Sequence, residues 1–572
     1  MTESGTRALA DPIQMAVFSN RLLSITEDMG NTLIRSSFST NIKERKDCSV
    51  ALFDARGRLA AQAAHVPLHL GSLLGSVRAV LAAHPLGRMA EGDAFICNDP
   101  YAAGGTHMPD ISIVTPVFWD GEVRFFTANI GHHADVGGSV PGSIAGASRT
   151  IYEEGLRIPA VHIARAGTLD EDILDLICLN SRQPEERRLD LKVQVATNRR
   201  GATLTHELIG EMGLDAVLAA LDDLLNYTAA RLANRLAALP DGSYTGTSYL
   251  DDDGLGGEPV AITATCRIEG PRLTIDFAGT AAQARGALNV ARSALEATVY
   301  YALKALLDPE LMPNSGMFEG VAITAPEGSL VNPRFPAAVG ARSITCNKIS
   351  RALFAALAPA LGPQRALAAG HDSVPAMVFS GPRPDGGEGY VYLETIGGGS
   401  GATASGDGMD AVQVHMTNTS NLPIEALEHE YGLRVVEYAL VGDSGGGGRW
   451  RGGLGIAREI GAVGEGVVFS IRSDGHALPP PGLDGGGDGA PARLLRNPGR
   501  AGEAVLGGKV ARIELKPGES IRLETAGGGG LGPPSERPAR RLAADLADGK
   551  VSAERARRDY GAAALDCLTR KA

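Results

Sequence analysis

Three side chains between positions 107 and 132 have the types and spacing of a metal site. His107 and Asp110 lie three residues apart, and His132 follows in the next apolar segment. Divalent zinc, manganese and iron all accept neutral imidazole nitrogen and carboxylate oxygen as ligands. Three protein ligands also leave coordination positions open for water or substrate, as a catalytic metal requires. These residues therefore predict a catalytic divalent metal site, and polar residues on an ordinary surface hairpin are the alternative.

A predicted β-hairpin brings the three candidate ligands together. Its strands are Ile111 to Phe118 and Val123 to Ile130, which are rich in apolar and β-branched residues, and Asp120-Gly121 between them is a tight-turn dipeptide. Folding about that turn pairs residues whose numbers sum to about 241, so His132 is expected opposite Pro109. Because proline disfavours helical geometry in the residue before it, the other two ligands are expected on a loop that enters the first strand.

Other polar residues are candidates for the same site. Asp47 stands where another predicted hairpin begins, formed by Cys48 to Phe53 and Arg58 to Gln62. A lone carboxylate there is expected at a solvated strand end, and it becomes a fourth ligand only if this hairpin packs against the central one. His65 and His69 either line the same cavity or are core histidines bonded to the backbone, and the sequence leaves both readings open.

The composition indicates a globular protein with several domains. The chain has 572 residues, 44% of them hydrophobic, and 54 basic against 66 acidic residues give a net charge of −12. That charge argues against nucleic acid or an anionic membrane as the main partner. Six cysteines without a Cys-x-x-Cys pair are expected to be reduced thiols of a cytoplasmic protein. No signal-peptide pattern and no apolar run of about 18 residues is present, so we expect no membrane span.

The hydrophobic patterns predict an α+β, multidomain fold of helices mixed with antiparallel sheets. The expected regions are 1–240 with the metal-site hairpins, a central α+β region over 241–434, a glycine-rich β region over 435–535, and a helical segment over 536–572. Glycine is abundant, 74 of 572 residues, which indicates many tight turns.

Several helices are also predicted, and the first begins at Asp11-Pro12, an N-cap followed by proline at the first helical position. The long segment Glu185 to Leu239 is expected to be helical with interruptions at Gly201 and Gly213, and its charges are expected to form a solvated face. The remaining predicted helices are Leu73–Ala83, Leu169–Leu179, Ala287–Leu307, Ser343–Leu361 and Leu542–Ala556.

Two familiar short motifs do not indicate their usual functions in this sequence. GDSGG at Gly442 to Gly446 copies the nucleophile segment of trypsin-like proteases, but no upstream histidine stands in the expected context and glycines follow instead of a helix. Gly527-x-Gly529-x-x-Gly532 fits the dinucleotide fingerprint, yet two prolines follow at once, so a turn is expected. No P-loop pattern is present.

Taken together, ordered sequence blocks along nearly the whole chain make it resemble the hydantoinase B/oxoprolinase family. The resemblance is carried by ERKDCSVALFD, HVPLHLGS, NDPYAAGGTHMPDISIVTPVF, GHHADVGG, RLTIDFAGTAAQARGALN, TNTSNLPIEALEHEYGLRV and GDSGGGGRWRGGLG. Two blocks, ARSITCNKI and LEHEYGLRV, carry altered residues, and the substrate preference therefore stays open.

The resemblance implies an activity and a partner. Such chains are subunits or halves of ATP-dependent enzymes that open hydantoins, 5-oxoproline or other lactams, and relatives carboxylate ketones such as acetone and acetophenone. A separate A-type subunit with an actin-like fold would bind ATP-Mg, because nothing in these 572 residues resembles that part. The resemblance also implies a metal on His107, Asp110 and His132, with Asp47 as a further ligand.

For a small cyclic amide, the resemblance leads to a mechanistic hypothesis. The partner phosphorylates the amide oxygen or its tetrahedral adduct, while the metal activates water and holds the developing oxyanion. His133 or Asp135 would relay a proton or orient a ligand. The alternatives are an ATP-dependent ketone carboxylase, a non-catalytic scaffold subunit, and a non-haem iron oxygenase, whose sites commonly begin His-x-Asp rather than His-x-x-Asp.

Overall fold

Residues 11–144, 146–384, 386 and 389–561 are described by the computed structural model. The α-helices are α1 (Pro12–Ser36), α2 (Thr40–Lys43), α3 (His69–Ala83), α4 (Glu171–Leu179), α5 (Pro184–Met212), α6 (Leu214–Ala237), α7 (Arg292–Leu307), α8 (Arg342–Leu361), α9 (Ile424–Glu430), α10 (Ala539–Ala547) and α11 (Ala553–Tyr560).

The strands are β1 (Cys48–Asp54), β2 (Leu59–Gln62), β3 (Ala94–Cys97), β4 (Asp110–Trp119), β5 (Glu122–His132), β6 (Val161–Arg165), β7 (Thr168–Leu169), β8 (Gly242–Leu250), β9 (Val260–Glu269), β10 (Arg272–Asp276), β11 (Val321–Thr324), β12 (Ala376–Gly381), β13 (Tyr390–Thr395), β14 (Leu433–Leu440), β15 (Ile456–Ala462), β16 (Val467–Arg472), β17 (Arg493–Arg496), β18 (Ala504–Leu506), β19 (Lys509–Leu515) and β20 (Ser520–Glu524).

These strands form four sheets. Their orders are β2-β1-β5-β4-β3-β6-β7, β11-β10-β9-β8, β13-β12-β16-β19 and β14-β15-β20-β17-β18. Neighbouring strands run antiparallel except β10 and β11, which are parallel. The predicted α+β fold with several sheets is therefore confirmed, while the division into four regions stays a prediction.

Helices cover both faces of the seven-stranded sheet. On one face α5 packs across β4 and β5, and α1 packs on α5 and β1. On the other face α3 contacts β4 and β5 and also α7, which in turn packs on α8. Helix α8 then lies on β8 and β9 of the second sheet. A large apolar core fills these layers, and it places the start of α8 next to the central hairpin.

The two C-terminal sheets share a separate apolar core. Phe379 of β12 and Phe469 of β16 pack in one cluster with Ile460 of β15 and Leu523 of β20. Strand β16 ends at Arg472, which lies beside the first residues of α8. The C-terminal β region therefore contributes a side chain to the surroundings of the central hairpin.

The central hairpin forms as predicted, with a register one residue away from the expected one. Asp120 and Gly121 both have positive φ, as the tight turn requires. The pairing shifts between Val117 and Phe118, because Arg124 of β5 has no counterpart on β4. This β-bulge places His132 opposite Asp110 rather than opposite Pro109.

The first helix begins where the sequence places it. The Asp11 side chain accepts a hydrogen bond from the Ile13 N–H at 2.9 Å, and Pro12 occupies the first helical position. The predicted C-terminal helix is instead two helices, α10 and α11, because Ser552 starts a new helix by accepting from the Arg555 N–H.

The long helical segment differs from prediction in two respects. Gly213 separates α5 from α6 with φ at +83°, but Gly201 lies inside α5 without breaking it. A Cβ at Gly201 would lie 2.4 Å from the Met29 sulfur, so this glycine permits close packing of α5 on α1. The predicted solvated face is also partly wrong, because Arg187 and Asp190 of α5 are fully buried.

Across the described residues, no helix combines the length and the apolar character that crossing a bilayer requires. The five cysteines in this part of the chain are buried and unpaired, in agreement with the expected reduced thiols. The sixth, Cys567, lies outside the described residues.

Candidate metal centre

The three candidate ligands converge on one point. Asp110 Oδ1 lies 2.9 Å from His107 Nε2 and 2.9 Å from His132 Nδ1, and the two imidazole nitrogens are 3.2 Å apart. All three side chains are buried. Within the described residues, this is the one group of three or more His, Cys, Asp or Glu side chains close enough to hold a metal ion together.

The hairpin and one tight loop hold these side chains in place. Asp110 and His132 are the terminal paired residues of β4 and β5. His107 lies on the loop before β4, and Gly104 of that loop touches Gly75 of α3 so closely that a Cβ on Gly75 would meet the Gly104 Cα at 2.6 Å. Asn98 fixes the same loop by donating to the Met108 carbonyl at 2.8 Å. The backbone therefore determines the separation of the ligand atoms before any ion binds.

The donor set fits a divalent transition metal. Metal–ligand bonds of about 2.1 Å would separate neighbouring ligand atoms by about 3.0 Å at octahedral angles and about 3.4 Å at tetrahedral angles. The three separations of 2.9, 2.9 and 3.2 Å are close to this range. His107 donates from Nδ1 to the Gly340 carbonyl at 3.3 Å, which leaves the Nε2 lone pair facing the other two ligand atoms. Such a hydrogen bond on the distal nitrogen is the usual support of a metal-binding imidazole.

The protonation states of His107 and Asp110 also favour metal binding. Burial, reinforced by the charge of Arg342, lowers the pKa of His107 well below its ordinary value, so the imidazole is neutral. Burial by itself would raise the pKa of Asp110, but the adjacent Arg342 guanidinium opposes it, and the pKa lies well below its ordinary value. Neutral imidazole and ionised carboxylate are the forms that bind metal.

Residues far away in the sequence support the cluster. Arg342, the first residue of α8, donates to Asp110 Oδ2 at 2.6 Å, and Thr106 donates to the same oxygen at 2.8 Å. The buried Glu154 accepts from the backbone N–H groups of Val339 and Gly340, and so fixes the carbonyl that His107 uses. Burial raises the pKa of Glu154 to about 7, although these hydrogen bonds oppose the shift.

The sequence did not reveal the role of Arg342, because no local pattern connects it with Asp110, more than two hundred residues away. It lies in the ARSITCNKI block, one of the two that carry altered residues. Glu154 likewise has no local sequence pattern that connects it with the ligand residues.

Asp47 meets the condition set for a further ligand. Strand β1 pairs with β5, and Cys48 lies opposite Gly131. The carbonyl of Asp47 accepts from the His132 N–H at 2.9 Å. Its carboxylate lies 3.6 Å from His69 Nε2, at the edge of the cluster. Its coordination of a metal stays a prediction.

Of the two histidines left open, His69 borders the cluster. Its Nε2 lies 3.8 Å from Asp110 Oδ1, and its Nδ1 lies 3.1 Å from the Ser49 hydroxyl. His65 instead lines a neighbouring apolar cavity of about 300 Å³ with Tyr300 and Tyr301. Burial and the neighbouring His69 lower the pKa of His65 to about 4, so this imidazole is also neutral.

His133 and Asp135 are not part of the three-residue cluster and have partners of their own. His133 Nε2 lies 2.9 Å from Gln194 Oε1, and burial lowers the pKa of His133 well below its ordinary value. Asp135 accepts from the Gly142 N–H and pairs with Arg182 at 2.8 Å. These contacts order the loop that follows β5, and the catalytic roles of both residues stay predictions.

The GDSGG segment is a packing element in this structure. The Ser444 hydroxyl donates to the Val441 carbonyl at 2.6 Å and accepts from the Gly455 N–H, so it is engaged with backbone. The nearby glycines allow neighbouring segments to touch, since a Cβ at Gly452 would lie 1.8 Å from the Gly528 carbonyl oxygen. Both observations agree with the rejection of a serine nucleophile.

A protein-family model and several known proteins match this chain. The family model described as hydantoinase B/oxoprolinase matches residues 11–534. A Pseudomonas sp. protein named as the B-type subunit of a D-/L-hydantoinase is 34% identical, over 97% of this chain and 96% of that protein. The 5-oxoprolinase 1 of Arabidopsis thaliana is 35% identical over 92% of this chain, which spans 42% of that longer protein.

Two solved structures have the same overall fold. The ATP-dependent caprolactamase of Pseudomonas jessenii superposes with a TM-score of 0.89, at 29% identity and with 96% of each chain covered. A nucleotide-free acetone carboxylase superposes with a TM-score of 0.85 over 99% of this chain and 84% of the other, at 19% identity. The latter similarity is one of fold alone.

Proposed function

Because the chain belongs to the hydantoinase B/oxoprolinase family, we propose that it is the metal-containing component of an ATP-dependent enzyme that opens a small cyclic amide. A hydantoin, 5-oxoproline or a lactam is the substrate class. The observation that carries the proposal is the convergence of His107, Asp110 and His132 within hydrogen-bond distance of one another. The named hydantoinase, 5-oxoprolinase and caprolactamase relatives supply the substrate class.

The proposed metal is zinc, manganese or iron, held by His107, Asp110 and His132, with Asp47 as a further ligand. A divalent metal bound there would supply Lewis acidity toward an amide oxygen and would lower the pKa of bound water. The chain's own contribution is orientation. Arg342 and Thr106 engage Asp110 Oδ2, so that Oδ1 is presented to the two imidazoles.

We assign His133 and Asp135 supporting roles in catalysis. His133 adjoins His132 in the chain, and its Nδ1 is buried without a hydrogen-bond partner among the described residues. That nitrogen is available to accept a proton and pass it on. Asp135 positions the loop after β5 through Arg182 and the Gly142 N–H.

The proposed partner is an A-type subunit with an actin-like ATPase fold, which would bind ATP-Mg and phosphorylate the substrate. An amide is a poor electrophile, and phosphorylation of its oxygen creates a good leaving group. The near-complete overlap with a B-type hydantoinase subunit supports a separate partner chain, whereas the 5-oxoprolinase relative is more than twice as long as the matched part. The buried, unpaired cysteines and the use of ATP support a cytoplasmic location.

Reconstitution with an A-type hydantoinase/oxoprolinase subunit tests the proposal. We expect ring opening of at least one member of a panel of hydantoins, 5-oxoproline and lactams, with ADP formed in proportion and no ATP-dependent activity from either chain alone. Acetone and acetophenone with bicarbonate form the parallel arm. Turnover in that arm with none in the first would replace hydrolysis with ketone carboxylation.

A further inference from the structure

Two buried arginines meet at the first turn of α8, beside the metal centre. Arg342 and Ser343 are the first two residues of this helix. Arg472, at the end of β16, donates from Nη1 to the Ser343 hydroxyl at 2.7 Å. Arg342 reaches in the other direction and donates to Asp110 Oδ2. A chain of contacts thus connects the C-terminal β region with the ligand cluster.

One of these guanidinium groups, that of Arg472, has no acidic side chain in direct contact with it among the described residues. Arg342 is 3% exposed and Arg472 is 4% exposed. Each leaves its Nε without a hydrogen-bond partner among the described residues, and Arg472 forms no ion pair with them. Burial, together with the neighbouring charge of Arg342, lowers the pKa of Arg472 to about 9. The carboxylates of Asp110, Asp47 and Glu154 favour the charged form of Arg472 without forming an ion pair with it. Because a buried charge without a direct counter-charge is costly, an anion in contact with Arg472 would stabilise this part of the site.

The start of α8 adds further anion-binding groups. The helix has twenty residues, and no side chain caps its N-terminus. The N-terminal end of a helix carries partial positive charge, which favours a bound anion. In α8 the N–H groups of Arg342 and Ile344 donate to the Val339 and Ala341 carbonyls, so the contribution of this helix end is chiefly its dipole. The Ser343 hydroxyl and the two guanidiniums lie at this same end, and a divalent metal on the adjacent cluster would add two positive charges.

We propose that the first turn of α8 and Arg472 bind a phosphoryl group, namely that of the substrate after its phosphorylation by the partner. A tetrahedral dianion can accept hydrogen bonds in several directions at once, which suits donors contributed by a helix terminus and by arginines from two elements. The site would hold the phosphoryl group beside the metal centre, and the carbon that bears the phosphorylated oxygen would face the metal-binding residues. This inference rests on the proposed function.

Inorganic phosphate is the probe that tests the site in the purified, metal-loaded full chain. Calorimetry gives its affinity, and the relaxation of its ³¹P resonance by Mn²⁺ reports whether it binds beside the metal. We expect Arg472→Met to weaken phosphate binding by about tenfold or more, the effect of losing a charged hydrogen bond. Arg472→Lys should retain part of the affinity, and Arg512→Met, which makes the same change at a residue whose side chain is 68% exposed, should retain all of it.

A second variant distinguishes the loss of the phosphate site from misfolding of the chain. Ser343→Ala removes the hydroxyl that holds Arg472 and should weaken phosphate binding while the metal content stays at the wild-type level. Equal phosphate affinity in Arg472→Met, Ser343→Ala and wild type would overturn the inference, and so would tighter binding of bicarbonate than of phosphate to the wild-type chain. Neither measurement needs ATP, substrate or partner. A chain that binds phosphate but supports no ring opening contradicts only the proposed function, and ring opening without phosphate binding contradicts only the anion site.

Discussion

Asp110 and His132 are directly paired across the β4–β5 hairpin, and the carboxylate Oδ1 lies 2.9 Å from the imidazole Nδ1. Side chains of opposed residues in an antiparallel pair lie close together on one face of the sheet. The β-bulge at Arg124 creates this pairing, since the unshifted register would place Pro109 opposite His132. One extra residue in β5 thus aligns two of the three ligands.

Replacing either ligand histidine distinguishes a catalytic subunit from a scaffold. We expect His107→Ala and His132→Ala each to abolish ATP-dependent ring opening by the reconstituted enzyme, because loss of either imidazole ligand removes the metal. Co-purification with the A-type partner should be unaffected. His429→Ala, at an exposed residue of α9, is the matched control. Full activity in the two ligand variants would favour the non-catalytic scaffold.

Close packing at Gly75 is expected to control the position of His107. A methyl group in Gly75→Ala would lie 2.6 Å from the Gly104 Cα and carbonyl oxygen, so the loop that carries His107 must move. Overpacking of this kind costs about 1–3 kcal/mol of stability. We expect a lower Tm and a reduced metal content. Gly87→Ala, where a Cβ meets nothing within 4 Å, should change neither, and an unaltered Gly75→Ala protein would contradict the account.

Glu154 is expected to make stability depend on pH between about 4.5 and 7. Its pKa is about 7 in the folded chain against an ordinary value of 4.5, so between these values the folded state holds a proton that the unfolded state has lost. Stability therefore falls as pH rises through this window, by roughly 3 kcal/mol in total. Glu154→Gln stays neutral at every pH.

The measurement is the Tm of both proteins at pH 4.5, 6 and 8. The Tm of wild type relative to Glu154→Gln should be highest at pH 4.5 and should decline toward pH 8. A constant difference across the series would show that Glu154 titrates at its ordinary value.

Asp135 and His133 should behave differently when they are substituted. Asp135→Asn removes the charge that pairs with Arg182, and we expect a loss of about 1–3 kcal/mol in stability, detected as a lower Tm with metal retained.

For His133→Gln we expect normal metal content and a reduced kcat. If kcat is unchanged in His133→Gln, the proton-relay role is excluded and only the contact with Gln194 remains.

The local features of the site could be predicted from the sequence, because they follow from short-range rules. The turn at Asp120-Gly121, the strands on either side and the convergence of His107, Asp110 and His132 all follow from hairpin geometry. The exact register could not be predicted, since nothing in the sequence around Arg124 distinguishes a bulge from regular pairing.

The surroundings of the ligands depend on tertiary packing and therefore could not be predicted from the sequence. Arg342 and Arg472 reach the site from a helix and a strand that are hundreds of residues away in the chain. The charges of α5 were expected to be solvated because they are charged, but Arg187 lies against the buried Asp190 in the interior. Gly201 was expected to interrupt a helix, whereas it serves the contact with Met29.

X-ray absorption at the metal edge tests the central claim most directly, on chain purified from medium supplemented with zinc, manganese and iron. The geometry predicts one metal per chain, with imidazole nitrogen and carboxylate oxygen ligands at about 2.0–2.2 Å. In Asp110→Ala that signal should disappear. A chain that binds no metal, or an absorption spectrum that Asp110→Ala leaves unchanged, would contradict a metal centre at the end of this hairpin.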